Sequence, residues 1–187
     1  MLVTVERGGA QHRILFDAGL SPDALVTNML RLGLDTRDVE IIVLTHGRSD
    51  HTTSLDGFIR DVEASLPVLI HPEFWNRRRL MIPGRDPVEL PTTSRRALEG
   101  AGFTIIEERQ PSFLLDGSVL ITGEVDRTSR FEPGVPPQQA LRYGGGSLTR
   151  WCSTTRRSSC TSAARAWWCS PAAGTRALPT SGATPAA

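Results

Sequence analysis

The run Ile41-Ile42-Val43-Leu44-Thr45 holds no polar residue before its last position, then passes directly into His46-Gly47-Arg48-Ser49-Asp50-His51-Thr52. A strand that is apolar on both faces must be covered on both faces, as strands are in parallel α/β sheets. The polar stretch therefore begins at the C-terminal end of a buried strand. Open α/β sheets bind their ligands at that edge.

The neighbouring segments agree with such a sheet. Leu2 to Val5 and His12 to Phe16 read as two strands around Arg7-Gly8-Gly9-Ala10, where a glycine pair between alternating apolar residues signals a tight hairpin. Ser21-Pro22 opens a helix with Leu25, Met29 and Leu32 on one face and Gly33 as its stop. After the polar stretch, Leu55, Phe58, Ile59 and Val62 recur at helical spacing, and Pro67 to Ile70 returns as a short strand capped by His71. Thr92 to Gly100 reads as a third helix and Phe103 to Glu107 as a strand. Phe113 to Leu115 and Val119 to Ile121 flank Asp116-Gly117, a second hairpin signal.

At 187 residues and 39% hydrophobic content, the chain fits one soluble domain with a core of its own. No apolar run approaches a membrane span, and the N-terminus carries no basic segment followed by an apolar stretch, so a cytoplasmic protein is expected. The net charge of +1 conceals an asymmetry: every Asp and Glu lies at or before Glu132, while arginines continue to Arg176. Beyond residue 140 the composition turns to Ala, Ser, Thr, Gly, Pro and Arg, with Trp151, Trp167 and Trp168. Cys152, Cys160 and Cys169 have neither a C-x-x-C spacing nor a following histidine, which argues against a metal knuckle and gives no support to a disulfide framework. Arginines this sparse, without regular aromatic spacing, make no case for nucleic-acid binding.

His46, Asp50 and His51 are imidazole and carboxylate donors of the kind that hold zinc or another divalent ion. They come close to His-x-His-x-Asp-His, the pattern of a two-metal hydrolase loop, in which the ions acidify a water and aim it at a carbonyl or phosphoryl centre. Arg48 stands where the second histidine would be, and a guanidinium has no lone pair to give. The plain alternative is a loop of polar residues with no metal, with Asp50 paired to Arg48.

The order of strand, His-Gly-x-x-Asp-His-Thr and helix, preceded by Ile14-Leu15-Phe16-Asp17-Ala18-Gly19, resembles the metallo-β-lactamase fold superfamily. The segments Phe16-Asp17-Ala18-Gly19, Leu44-Thr45-His46-Gly47, Asp50-His51-Thr52, His71-Pro72 and Thr122-Gly123-Glu124-Val125 look most like its dihydropterin-ribofuranosyl-aminobenzene phosphate synthase-like branch. The resemblance covers roughly residues 1 to 140. It implies an α/β fold: the N-terminal half of an αββα sandwich, followed by an irregular or disordered tail over 141–187. It also implies a metal-dependent hydrolase-like activity, with His46 a ligand of the first metal and Asp50 and His51 ligands of the second. Asp50 is the candidate catalytic carboxylate, Asp17 supports the ligands from behind, and Arg48 is a disrupted ligand position. A small, anionic substrate would suit Arg77-Arg78-Arg79, although a solvated helix face is the simpler account of that run. His71 reads as a rim or structural residue and His12 as a surface strand residue. Glu124 and Arg127 match the branch without an assignable role.

The superfamily continues past residue 140 with further ligands, including a Gly-Cys-x-His segment, and no such segment stands here. Re-reading Arg150 to Arg176 with each codon shifted by one base yields apolar runs, acids and a Gly-Cys-Gly-His segment. A frame change near Gly144 is therefore expected. A partial sandwich of this kind leaves a sheet face uncovered and prone to self-association. Together with Arg48, it also makes a non-catalytic fragment or pseudoenzyme the competing reading.

Overall fold

The computed structural model describes residues 1–62, 65–124, 138–143, 149–153 and 166–168. The chain opens with strands β1 (Leu2–Arg7) and β2 (Ala10–Phe16), paired antiparallel from Leu2↔Leu15 to Arg7↔Ala10. Only Gly8 and Gly9 lie between them, with φ of 58° and 85°. Two consecutive positive φ values give the mirror-image turn that matches the right-handed twist of a hairpin, and glycine adopts them without strain.

Helix α1 (Ala24–Arg31) follows, then β3 (Val39–Leu44), α2 (Ser49–Thr52), α3 (Leu55–Asp61) and β4 (Pro67–Ile70). The first helix begins at Ala24, two residues beyond the Ser21-Pro22 start read from sequence. Ser21 contributes its carbonyl to the Ala24 N–H at 3.2 Å, and Asp23 takes the capping position. Leu32, assigned to the buried face of this helix, instead lies just past its end at 73% exposure, whereas Met29 is buried.

Beyond a 3-10 turn at Pro72–Trp75, the chain forms β5 (Arg78–Leu80), β6 (Val88–Leu90), α4 (Arg95–Gly100) and β7 (Thr104–Glu107). Next come β8 (Ser112–Leu114), β9 (Val119–Ile121), β10 (Gln138–Tyr143), β11 (Thr149–Ser153) and β12 (Ala166–Trp168). The Arg77 to Arg79 segment is thus no helix face. Arg78 and Arg79 lie on β5, which pairs with β6 and β10, and Arg78 is 3% exposed.

Among the described residues the principal sheet runs β1-β2-β3-β4-β7, with β2, β3, β4 and β7 parallel to one another. On one face, Leu15, Ile42, Leu44, Val68 and Ile70 pack against Met29, Leu55, Phe58 and Leu98 of the helices. On the other, Val5, Ile14, Val43 and Leu69 pack against Val119 and Ile121. The strand of continuous apolar character is therefore covered on both sides. This second face was expected to lie open. It is closed over these residues because the β8–β9 hairpin folds back across it.

The remaining strands form two small sheets, β11-β10-β5-β6 and β12-β9-β8. Strands β11 and β12 fall inside the 141–187 segment for which composition gives no order; their backbones are paired in the ladders of β10 and β9. The rest of that segment, Arg127 and the re-read Gly-Cys-Gly-His stretch lie outside the described residues.

Candidate metal centre

The loop 45–51 leaves the C-terminal end of β3, and the end of β2 is tied to it. Ala18 and Gly19 N–H both donate to the His51 carbonyl, at 2.8 and 3.2 Å, and Ser54 N–H donates to the Gly19 carbonyl at 3.1 Å. Two adjacent strand ends thereby hold the two ends of the polar stretch in place.

Asp17 stands between them. Its backbone has φ of 53°, a left-handed conformation that Asp and Asn tolerate better than most residues, and its N–H donates to the Val43 carbonyl at 2.9 Å. Its carboxylate accepts the Thr45 N–H at 2.9 Å and the Thr45 hydroxyl at 2.8 Å, and lies 2.8 Å from Nδ1 of His51. An acceptor-only carboxylate facing Nδ1 requires the proton there, which leaves the lone pair of His51 on Nε2.

His46 is fixed by the same logic one step removed. The Thr45 hydroxyl donates to Asp17, so a lone pair faces Nδ1 of His46 at 2.8 Å. That nitrogen carries the proton, and Nε2 again keeps its lone pair. Burial pushes His46 down to about 4, assisted by His51, Arg48 and Arg78 and opposed by Asp17. The ring is neutral at pH 7, the form that can coordinate a cation. The two imidazoles lie with centroids 4.2 Å apart.

Asp50 completes the group. One ligand atom from each of His46, Asp50 and His51 can be chosen so that all lie within 4.8 Å of one another, and Nε2 of His51 is 3.6 Å from Oδ2 of Asp50. The donor set of two imidazoles and one carboxylate suits one divalent ion. It does not suit two, because Arg48 points its fork at the carboxylate: Nε donates to Oδ1 at 3.0 Å and Nη2 donates to Oδ2. Burial works against the ionised form of Asp50, yet the Arg48 hydrogen bond and charge outweigh it and hold the carboxyl below its ordinary range.

The other sequence candidates sit elsewhere. His71 is buried at 4% exposure; its Nδ1 accepts the Glu73 N–H at 3.0 Å and its Nε2 lies 3.3 Å from Glu124. Glu124 also accepts from Arg109 at 2.8 Å, so it links the end of β9 to the loop after β7. His12 meets Glu40 at 3.0 Å on the outer part of the sheet.

Sequence reasoning missed Arg78, whose guanidinium reaches the carbonyl of Gly47 inside the loop. The signal was weak: three consecutive arginines carry no mark of which one turns inward.

No family model matches the chain. One relative, 28% identical over 130 residues, is the 7,8-dihydropterin-6-methyl-4-(beta-D-ribofuranosyl)-aminobenzene-5'-phosphate synthase of Methanocaldococcus jannaschii. The match covers 67% of this chain and 42% of the relative. Among solved structures, the chain is similar to MEM-A1, a subclass B3 metallo-β-lactamase from a soil metagenome library. It is 17% identical with a TM-score of 0.39, covering 80% of this chain and 54% of that one. The Rm3 metallo-β-lactamase is 19% identical with a TM-score of 0.42, covering 80% and 53%. The chain thus spans less than half the length of the curated relative and about half of the solved ones. Among the described residues no helix is long and apolar enough to cross a membrane.

Proposed function

We propose that the chain carries a metal-dependent hydrolase-like site of the metallo-β-lactamase kind, reduced to one weak ion-binding group formed by His46, Asp50 and His51. The observation that carries this reading is the Asp17–Thr45 hydrogen-bond system, which presents both imidazoles with Nε2 lone pairs toward the Asp50 carboxylate. A loop that served only as polar surface has no need of such oriented rings. An ion held there, zinc or another divalent cation, would supply Lewis acidity and acidify a water molecule.

Arg48 sets the limit. A unit charge at 4 Å from another costs about 4 kcal/mol at an effective dielectric of 20, and roughly double beside a dication. The Arg48–Asp50 pair is itself partly exposed, and such pairs contribute only about 0–1 kcal/mol. An incoming ion therefore wins the carboxylate if Arg48 can swing toward solvent, and loses it otherwise. The relative's name speaks of a phosphate product, which favours a small anionic substrate for this chain as well.

Metal content of the purified chain, dialysed against zinc and measured by elemental analysis, tests the proposal. One equivalent or less is expected, lost on His51→Ala with the circular dichroism unchanged. Two equivalents would refute the account of Arg48. A second reading, a non-catalytic relative of such enzymes, is favoured by the Arg48 fork on Asp50. It predicts no zinc and no zinc-dependent hydrolysis of an activated phosphate ester.

A further inference from the structure

Gly47, between His46 and Arg48, is the tightest point of the loop. A Cβ added there would lie 2.1 Å from the carbonyl oxygen of Phe74 and 2.8 Å from Nη1 of Arg78. The loop is thus pressed against the 3-10 turn at Pro72–Trp75, with no room for a side chain.

Arg78 clasps that contact. From β5, its Nη1 donates to the carbonyls of Gly47 at 3.1 Å, Phe74 at 3.1 Å and Asn76 at 2.9 Å. Its Nη2 donates to the Glu73 carbonyl at 3.3 Å. The guanidinium therefore gathers the oxygens of the turn and the loop around one rigid, planar set of donors, and it does so at 3% exposure. Charged donors make the stronger hydrogen bonds, and those excluded from water are the costliest to remove. His46 and Asp50 sit on either side of the clasped carbonyl. Their separation depends on where the Gly47 peptide is held.

We propose that Arg78 is the positioning residue of this centre, fixing the Gly47 peptide so that His46 and Asp50 meet on one ion. The inference rests on the metal-binding reading above. It assigns to a residue on β5 control over a loop whose donors are all supplied by residues 46 to 51. Lysine at this place keeps the positive charge but presents a single compact ammonium, which cannot span four carbonyls. Supporting residues around metal ligands typically alter affinity by about tenfold to a hundredfold.

The test titrates cobalt(II) into the full chain and into the Arg78→Lys variant, following the visible absorption bands of the bound ion. Arg79→Lys, on the same strand but bonded to Gln139, serves as control. The expected result is a cobalt Kd at least about tenfold weaker in Arg78→Lys, with shifted bands, and no change in the control. Equal affinity and identical bands in Arg78→Lys would overturn the positioning role while leaving the metal site standing. Absence of cobalt binding in the unaltered chain would remove both readings together. Should Arg78→Lys not fold, Gly47→Ala displaces the same peptide while keeping arginine at position 78, its Cβ pressing on the Phe74 carbonyl oxygen and on Nη1 of Arg78. Weakened binding with shifted bands then supports the role, and unchanged binding overturns it.

Discussion

Replacing Asp17 by asparagine isolates one property of the centre, the direction in which its imidazoles face. Asparagine has the shape of aspartate and tolerates the left-handed backbone at this position. One side-chain oxygen remains to accept the Thr45 N–H, now at 2.9 Å from Oδ1. The other position becomes an amide NH2, facing Nδ1 of His51 where Oδ2 stood 2.8 Å away. Two donors cannot share that line, so His51 must move its proton to Nε2 or turn away. In either case it no longer offers Nε2 to an ion. The stability loss follows from the hydrogen bonds affected. The charge-assisted hydrogen bond to His51 is lost or replaced by a neutral one donated to Nδ1, the Thr45 N–H bond falls to neutral strength, and the Thr45 hydroxyl must turn to Oδ1, 3.0 Å away, together about 2–4 kcal/mol. Long-range nitrogen–proton NMR of the imidazoles reads the tautomer directly, while urea unfolding gives the stability. We expect His51 to change tautomer or lose its hydrogen bond, and zinc affinity to fall by about tenfold to a hundredfold. If His51 keeps its proton on Nδ1 and zinc binds as before, the reasoning from Asp17 fails.

Arg48→His removes the fork on Asp50 and adds a third imidazole, so zinc affinity should rise by at least about tenfold, read by competition with a chromogenic chelator. Phe58, fully buried between α3 and the principal sheet, should cost about 3–5 kcal/mol as Phe58→Ala in the same urea assay. Burial lowers the pKa of His71 below its ordinary 6.5, and its hydrogen bond to Glu124 recovers only part of that shift. The unfolded chain therefore takes up the proton first as the pH falls. Stability should be complete above about pH 6.5 and decline below it, until the folded protein is protonated too. His71→Gln should reduce the slope of that part of the urea-midpoint profile, the share of His46 remaining, and an unchanged slope would contradict the assignment.

Much of the principal sheet was legible because its instructions are local. Gly8-Gly9 forms the two-residue hairpin its sequence implies, and Asp116-Gly117 lies in the connection of a second. The run from Ile41 to Leu44 advertises burial on both sides, and the structure covers it on both sides. His46, Asp50 and His51 could be grouped because they lie within one turn-rich stretch, where sequence distance limits spatial distance. What escaped notice depends on partners far along the chain. Strand β5 pairs with β10, some sixty residues away, and an arginine-rich segment carries no alternation to betray that pairing. The burial of Arg78 was hidden for a related reason: its partners are backbone carbonyls, which every residue possesses and no sequence pattern marks. Ser21-Pro22 misled by two residues because the serine carbonyl, rather than its hydroxyl, satisfies the first free N–H.

The three donors of the centre occupy six consecutive positions, and the carboxylate that orients the two imidazoles directly follows β2, the strand paired alongside β3. Assembly of this group needs only the closing of a short chain segment onto one neighbouring strand, an inexpensive step in loop entropy. Only the clasp of Arg78 from β5, which sets the final separation of His46 and Asp50, comes from further along the chain. A cation present during synthesis is therefore captured weakly at first, and tightly once β5 brings Arg78 onto the loop. Zinc in the refolding buffer should then accelerate the first phase of refolding.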